Sequence, residues 1–207
     1  MLKAHQMMIE TLKAKGVYSG AVIAAMSRVE RHLFVSEALR YRAYDDISLP
    51  IGFGQTISRP SVIARMLQSL GLTGSEMVLE VGTGSGYQTA VLSRLASGVV
   101  TMERVRELSE RAGAVLSSMN CRNAMLYNTG NFSEIQGSFD GIVVSAGADM
   151  MPEELFDKLN PGGRMIIPVS DKKTHRIKLC LKRGVNEILI EDIGEASFVP
   201  LVTSASA

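Results

Sequence analysis

Val78-Leu-Glu-Val-Gly-Thr-Gly-Ser-Gly-Tyr most narrows what this chain can become: an apolar run ends in Gly82, Gly84 and Gly86 and passes straight into a helical pattern. Glycines at such a turn permit positive φ and let a ligand approach the backbone where a Cβ would collide. The surrounding pattern fits a nucleotide-like site. Met77-Val-Leu-Glu-Val precedes a helix over 87–95, and Val99-Val-Thr-Met-Glu precedes one over 105–119. Ala124-Met-Leu-Tyr reads as a further strand, and Phe139-Asp-Gly-Ile-Val-Val-Ser-Ala precedes a helix over 152–159. Strands joined by crossover helices build a parallel sheet covered on both faces, so the pattern predicts a Rossmann-like α/β fold. Asn160-Pro-Gly-Gly then predicts a sharp turn. The runs beginning at Arg164, Arg176 and Glu187 follow without helices between them and predict an antiparallel edge.

Upstream of this unit, apolar residues recur at helical spacing between Gln6 and Tyr41, including Met8, Leu12, Val22, Met26, Leu33 and Phe34. They predict an N-terminal helical extension. Asp45-Asp-Ile-Ser-Leu-Pro-Ile-Gly-Phe-Gly is rich in turn formers and predicts a loop arriving at a helix. Pro60 suits the first turn of that helix, Ser58 is a candidate N-cap, and Val62, Ile63, Met66, Leu67 and Leu70 supply its buried stripe. The Thr203-Ser-Ala-Ser-Ala end is expected to fray.

Charge and composition exclude several function classes. Lys and Arg number 22 against 21 for Asp and Glu, so no large basic field exists to collect a phosphate backbone, and nucleic acid is not an expected partner. Cys121 and Cys180 lack CxxC spacing and the histidines lie far apart, so no metal site is expected. No run approaches the ~18 apolar residues that span a bilayer, and the charged N-terminus does not read as a signal peptide. A cytoplasmic monomer with no membrane partner is the expectation. His32 and Cys180 read as packed residues and not as proton shuttle or nucleophile.

The glycine spacing separates two classes of ligand. A dinucleotide fingerprint reads GxGxxG, whereas here Tyr87 stands at the third position and the loop reads GxGxG. Glu80 lies just before the loop, where a carboxylate suits a cofactor with a cationic amino group better than a diphosphate. Glu103 ends the following strand, where a carboxylate can accept both hydroxyls of a ribose. The plainer alternative is a tight strand-to-helix turn, with Glu103 paired to Arg104 or Arg106. The loop and Glu103 together favour an adenosyl cofactor.

Across about 22–201 the chain resembles the protein-L-isoaspartate O-methyltransferase family. The resemblance is carried in order by Ala25-Met-Ser-Arg-Val-Glu-Arg-His-Leu-Phe-Val, Ala43-Tyr-Asp-Asp, Leu49-Pro-Ile-Gly-Phe-Gly-Gln-Thr-Ile-Ser-Arg-Pro, the glycine loop, Pro161-Gly-Gly-Arg and Phe198-Val-Pro-Leu. The Gly-Gln-Thr-Ile-Ser block is the most specific of these. The resemblance implies one S-adenosylmethionine-dependent methyltransferase domain over 1–207. Its parts would be a helical prelude and active-site loop over 1–57, a cofactor-binding core over 58–170, and C-terminal strands and tail over 171–207.

It further implies methyl transfer to the free carboxylate of L-isoaspartyl and D-aspartyl residues in damaged proteins or peptides. Ser58 would be the catalytic residue, with Ile57, Val199 and Pro200 beside the substrate. Gln55, Thr56, Glu80, Gly82, Thr83, Gly84, Gly86, Glu103, Thr129 and Gly130 would surround the cofactor. One departure is local: where members usually carry Gly-Asp-Gly, this chain has Asn128-Thr-Gly-Asn. Thr129 has no charge, so a loss of about 1 to 2 kcal/mol in cofactor affinity is expected unless Asn131 substitutes.

A carboxylate acceptor with a pKa near ~3.9 is ionised at neutral pH and needs no general base, which accounts for the lack of a His/Asp or Cys/His constellation. On the residues alone, Ser58 as cap and Ser58 as catalyst remain open together. Two rival readings are a methyltransferase for RNA or another small acceptor, and a non-catalytic relative with weakened cofactor binding. Balanced charge argues against RNA.

Overall fold

The computed structural model describes residues 1–172, 174–184 and 187–202, so the end expected to fray lies outside the described residues. Its centre is a seven-stranded sheet of order β5-β4-β3-β6-β7-β8-β9. Strands β3 (Met77–Val81), β4 (Gly98–Met102), β5 (Ala124–Tyr127), β6 (Phe139–Val144) and β7 (Leu159–Asp171) pair in parallel. Strands β8 (Thr174–Lys182) and β9 (Ile188–Ala196) complete the antiparallel edge.

Side-chain alternation divides the core into two layers. Val78, Val143, Ile166 and Ile177 face the helices α1 (Leu2–Ala14), α2 (Gly20–Arg28), α3 (Pro60–Leu70) and α4 (Tyr87–Leu92). Leu79, Ile142, Met165 and Cys180 face Phe132, Ile135 and Leu155, the last carried by α6 (Glu153–Asp157). Each fully buried aliphatic side chain contributes roughly 1.5–3 kcal/mol of transfer free energy. Helix α5 (Arg106–Ser118) connects β4 to β5.

Two segments differ from the sequence expectation. The loop expected before α3 contains a hairpin of β1 (Leu49–Gly52) and β2 (Gln55–Ile57). Its two-residue turn places Phe53 and Gly54 at φ 53 and 69, the left-handed pair that matches strand twist in tight hairpins. The turn expected at Asn160-Pro-Gly-Gly is absorbed into the start of β7, where the pairing with β6 slips between Phe139 and Gly141. Asn160 to Gly163 have no partner on β6 or β8 and Gly162 takes φ 82, so these turn-favouring residues form a bulge within the strand. Among the described residues, no helix is long and apolar enough to cross a membrane.

Candidate active site

Parallel strands present their carboxyl ends on one edge, and the crevice outside that edge is where α/β sheets hold ligands. Here a cleft of about 800 Å³, open to solvent, lies against that edge. Gly82, Thr83, Gly84 and Ser85 line it after β3, Glu103 and Arg104 after β4, Thr129 and Gly130 after β5, and Ser145 and Ala146 after β6. Gln55, Thr56, Ile57 and Ser58 close one side, and Val199 and Pro200 close another. Residues separated by more than 140 positions thus meet on one cavity.

Gly82 and Gly84 take φ 93 and 54, and a Cβ on Gly84 would stand 3.5 Å from Ile51 Cδ1 of the hairpin. Gly86, expected against the cofactor, does not line the cleft. At φ 85 its missing Cβ would lie 3.2 Å from Ala112 Cβ, so this glycine lets α4 pack on α5.

Glu103 is buried but lines the cleft. Its Oε2 accepts from Gly84 N–H at 2.8 Å and its Oε1 from Val105 N–H at 2.9 Å. Each oxygen keeps a further acceptor site for a ligand hydroxyl. The alternative pairing with arginine is not realised: Arg106 pairs with Glu110 at 2.8 Å.

Glu80 departs from expectation. It is fully buried and absent from the cleft wall, where it had been expected to meet a cationic group. Strand alternation turns it to the same face as Val78, which α4 covers. Thr89, Thr101 and Gln88 all donate to its carboxylate, Thr101 at 2.7 Å and Gln88 at 3.0 Å. Burial nevertheless pushes its pKa up to about 7.

Ser58 is half-buried on the cleft wall. It is not the cap of α3, whose preceding residue is Arg59 and whose start has no local side-chain cap. Asp46 fills that role from a distance, its Oδ1 accepting from Ser61 N–H and its Oδ2 from Ser61 Oγ, both at 2.8 Å. Lys15 Nζ also donates to Oδ2 at 2.6 Å. Burial raises the Asp46 pKa, but the hydrogen bonds from Lys15 and Ser61 outweigh it and hold this carboxyl below its usual range.

Fully buried Arg31 secures the same loop, with Nε donating to Ala43 O at 2.7 Å and Nη2 to Ile47 O at 3.3 Å. Burial lowers its pKa to about 10. His32 packs with Nδ1 2.8 Å from Tyr44 Oη, and Cys180 is sealed in the core with its thiol pushed up to about 12 by burial.

The Val199–Pro200 wall is fixed by Gly147, whose N–H donates to Val199 O at 2.8 Å and whose carbonyl accepts from Leu201 N–H at 2.7 Å. Thr129 lines the cleft and its Oγ1 accepts from Asn131 N–H at 3.0 Å. Asn131 itself is off the wall, its side chain accepting from Ser133, so it does not stand in for a missing acid.

Sequence reasoning did not single out Gln88, Ser145 or Arg104, which line the cleft, or Asp46, which lies behind it. The carboxyl-edge rule could have found Ser145, the residue after β6. Asp46 carried no local signal because it caps a helix that begins 14 positions later.

Residues 3–206 match the family model described as protein-L-isoaspartate(D-aspartate) O-methyltransferase (PCMT). A protein-L-isoaspartate O-methyltransferase of Syntrophotalea carbinolica is 46% identical over 202 residues, covering 96% of this chain and 93% of the relative. One of Petrotoga mobilis is 42% identical over 204 residues, covering 97% and 96%. A solved Plasmodium falciparum structure, described as a protein-L-isoaspartate O-methyltransferase with S-adenosyl-L-homocysteine, superposes with a TM-score of 0.84. It is 24% identical and covers 97% of this chain and 99% of its own, a likeness of fold.

Proposed function

We propose that this chain, which belongs to the protein-L-isoaspartate(D-aspartate) O-methyltransferase family, methylates the free carboxylate of L-isoaspartyl and D-aspartyl residues in damaged proteins, using S-adenosylmethionine. The observation that carries this reading is the meeting of the Ser58 turn, the glycine loop, Glu103 and the Val199–Pro200 segment on one cleft. The cofactor supplies a methyl group activated on a sulfonium sulfur.

The residues fit such a group. The glycine loop offers backbone without Cβ atoms at Gly82 and Gly84, and Glu103 keeps acceptor capacity toward a ribose. Gln55, Thr56, Thr83 and Gly130 complete the walls around it. Thr129 faces the base with a hydroxyl in place of a carboxylate, which on this reading costs affinity and not specificity for the acceptor. Glu80 and Gly86 support the site from below and behind.

At the acceptor, Ser58 Oγ donates a hydrogen bond to one carboxylate oxygen and leaves the other free to react. No residue has to remove a proton, because the carboxylate is already ionised. Ile57, Val199 and Pro200 hold the acceptor's backbone and exclude water, so that orientation supplies several kcal/mol of the rate enhancement. On this reading the protein acts as a monomer in the cytoplasm.

Incubation with methyl-labelled S-adenosylmethionine tests the proposal. An isoaspartyl peptide should acquire label as a base-labile ester while the matching aspartyl peptide remains unlabelled. Equal labelling of both peptides would reject the acceptor assignment.

A further inference from the structure

The cleft has two ends, and the strand order tells them apart. Thr129 and Glu103 follow β5 and β4, on the outer side of the glycine loop, where base and ribose belong in the proposed reading. Ser145 follows β6 on the opposite side. The amino-acid tail of an adenosyl cofactor therefore falls on the β3–β6 side, and it brings an ammonium group that requires an acceptor. Glu80 cannot serve, since it is sealed beneath α4.

Gln88, in the first turn of α4, stands between them. It is 8% exposed and lines the cleft. Its Nε2 donates to Glu80 Oε1 at 3.0 Å and to Ser145 Oγ at 2.7 Å. Those two bonds engage both amide protons. In this structure the amide nitrogen faces Glu80 and Ser145, and ionised Glu80, which only accepts, holds the amide that way round. Among the described residues, Oε1 takes no hydrogen bond, and it is not one of the polar atoms sealed from solvent without a partner. It is therefore open to the cleft as an oriented acceptor.

We infer that Gln88 Oε1 binds the α-ammonium of the cofactor's amino-acid portion, with Glu80 acting one layer below to hold the amide in the accepting orientation. The inference rests on the proposed use of S-adenosylmethionine. It assigns a contact to a residue that the glycine-loop pattern does not mark, and it explains why an acidic residue sits under the loop without touching the cleft.

Calorimetric titration tests it with three probes: S-adenosylhomocysteine, the analogue of that molecule lacking the α-ammonium, and adenosine. A hydrogen bond to a charged group contributes about 10- to 100-fold in affinity. The unaltered protein should prefer S-adenosylhomocysteine over the analogue by about tenfold or more. Gln88→Met, similar in size but unable to accept strongly, should reduce that preference to about twofold while adenosine affinity is retained. Gln88→Leu gives the same reading should the methionine variant fail to fold. Retention of the full preference in either folded variant would overturn the assignment alone. Absence of S-adenosylhomocysteine binding in the unaltered protein would overturn the cofactor reading and this assignment together.

Discussion

Glu80 links stability to pH in a way that can be worked out from its surroundings. Its carboxyl has an ordinary value of 4.5 and is pushed to about 7 by complete burial, against the opposing hydrogen bonds from Thr89, Thr101 and Gln88. Below pH 4.5 the group is protonated in both the folded and unfolded chains. Between 4.5 and 7 the unfolded chain loses its proton while the folded chain keeps it, so folding is progressively disfavoured as pH rises.

At about 1.36 kcal/mol per unit, the shift amounts to roughly 3 kcal/mol in full, of which about 2.5 kcal/mol falls between pH 5 and pH 8. The hydrogen-bonded carboxylates Asp46, Glu76 and Asp192 are shifted downward, so they lose their stabilising contribution at lower pH, outside this interval. Glu80→Gln removes the titration. Urea unfolding at pH 5, 6, 7 and 8 should show the variant gaining on the unaltered protein by about 2.5 kcal/mol across the series. A stability difference that stays constant from pH 5 to pH 8 would refute the reasoning.

Two further substitutions probe the framework and the acceptor side. Asp46→Ala removes the cap on α3 and should lower unfolding free energy by about 1–2 kcal/mol in urea titrations, whereas Asp46→Asn keeps an acceptor and should recover most of the loss. Ser58→Ala should reduce turnover of an isoaspartyl peptide at saturating cofactor while leaving S-adenosylhomocysteine affinity within about threefold, because its hydroxyl serves the acceptor and not the nucleoside. An undiminished rate would reduce Ser58 to a wall residue.

The central α/β unit was legible because its signals are local: apolar strands, a glycine turn and amphipathic helices each occupy one continuous stretch. The cleft was legible where its residues sit in such signals, as Gly82, Gly84 and Glu103 do, and where the resemblance named Ser58 and Val199. What failed to show is either too short to carry a pattern or depends on contacts distant in sequence. The β1–β2 hairpin has strands of four and three residues and Pro50 inside one of them, too short for alternation to register. Glu80 looked like a cleft residue by its place in the chain, and only the return of α4 across its face buries it. Ser58 was a candidate cap for α3, whereas the loop secured by Arg31 and Lys15 delivers Asp46 to the Ser61 amide in its first turn.

A structure of the protein with S-adenosylhomocysteine bound tests the account most directly. It should place the ribose hydroxyls on Glu103 and the sulfur on the side of the cleft formed by Ser58 and Val199. A nucleoside bound away from the glycine loop, or a sulfur directed away from Ser58, would contradict it.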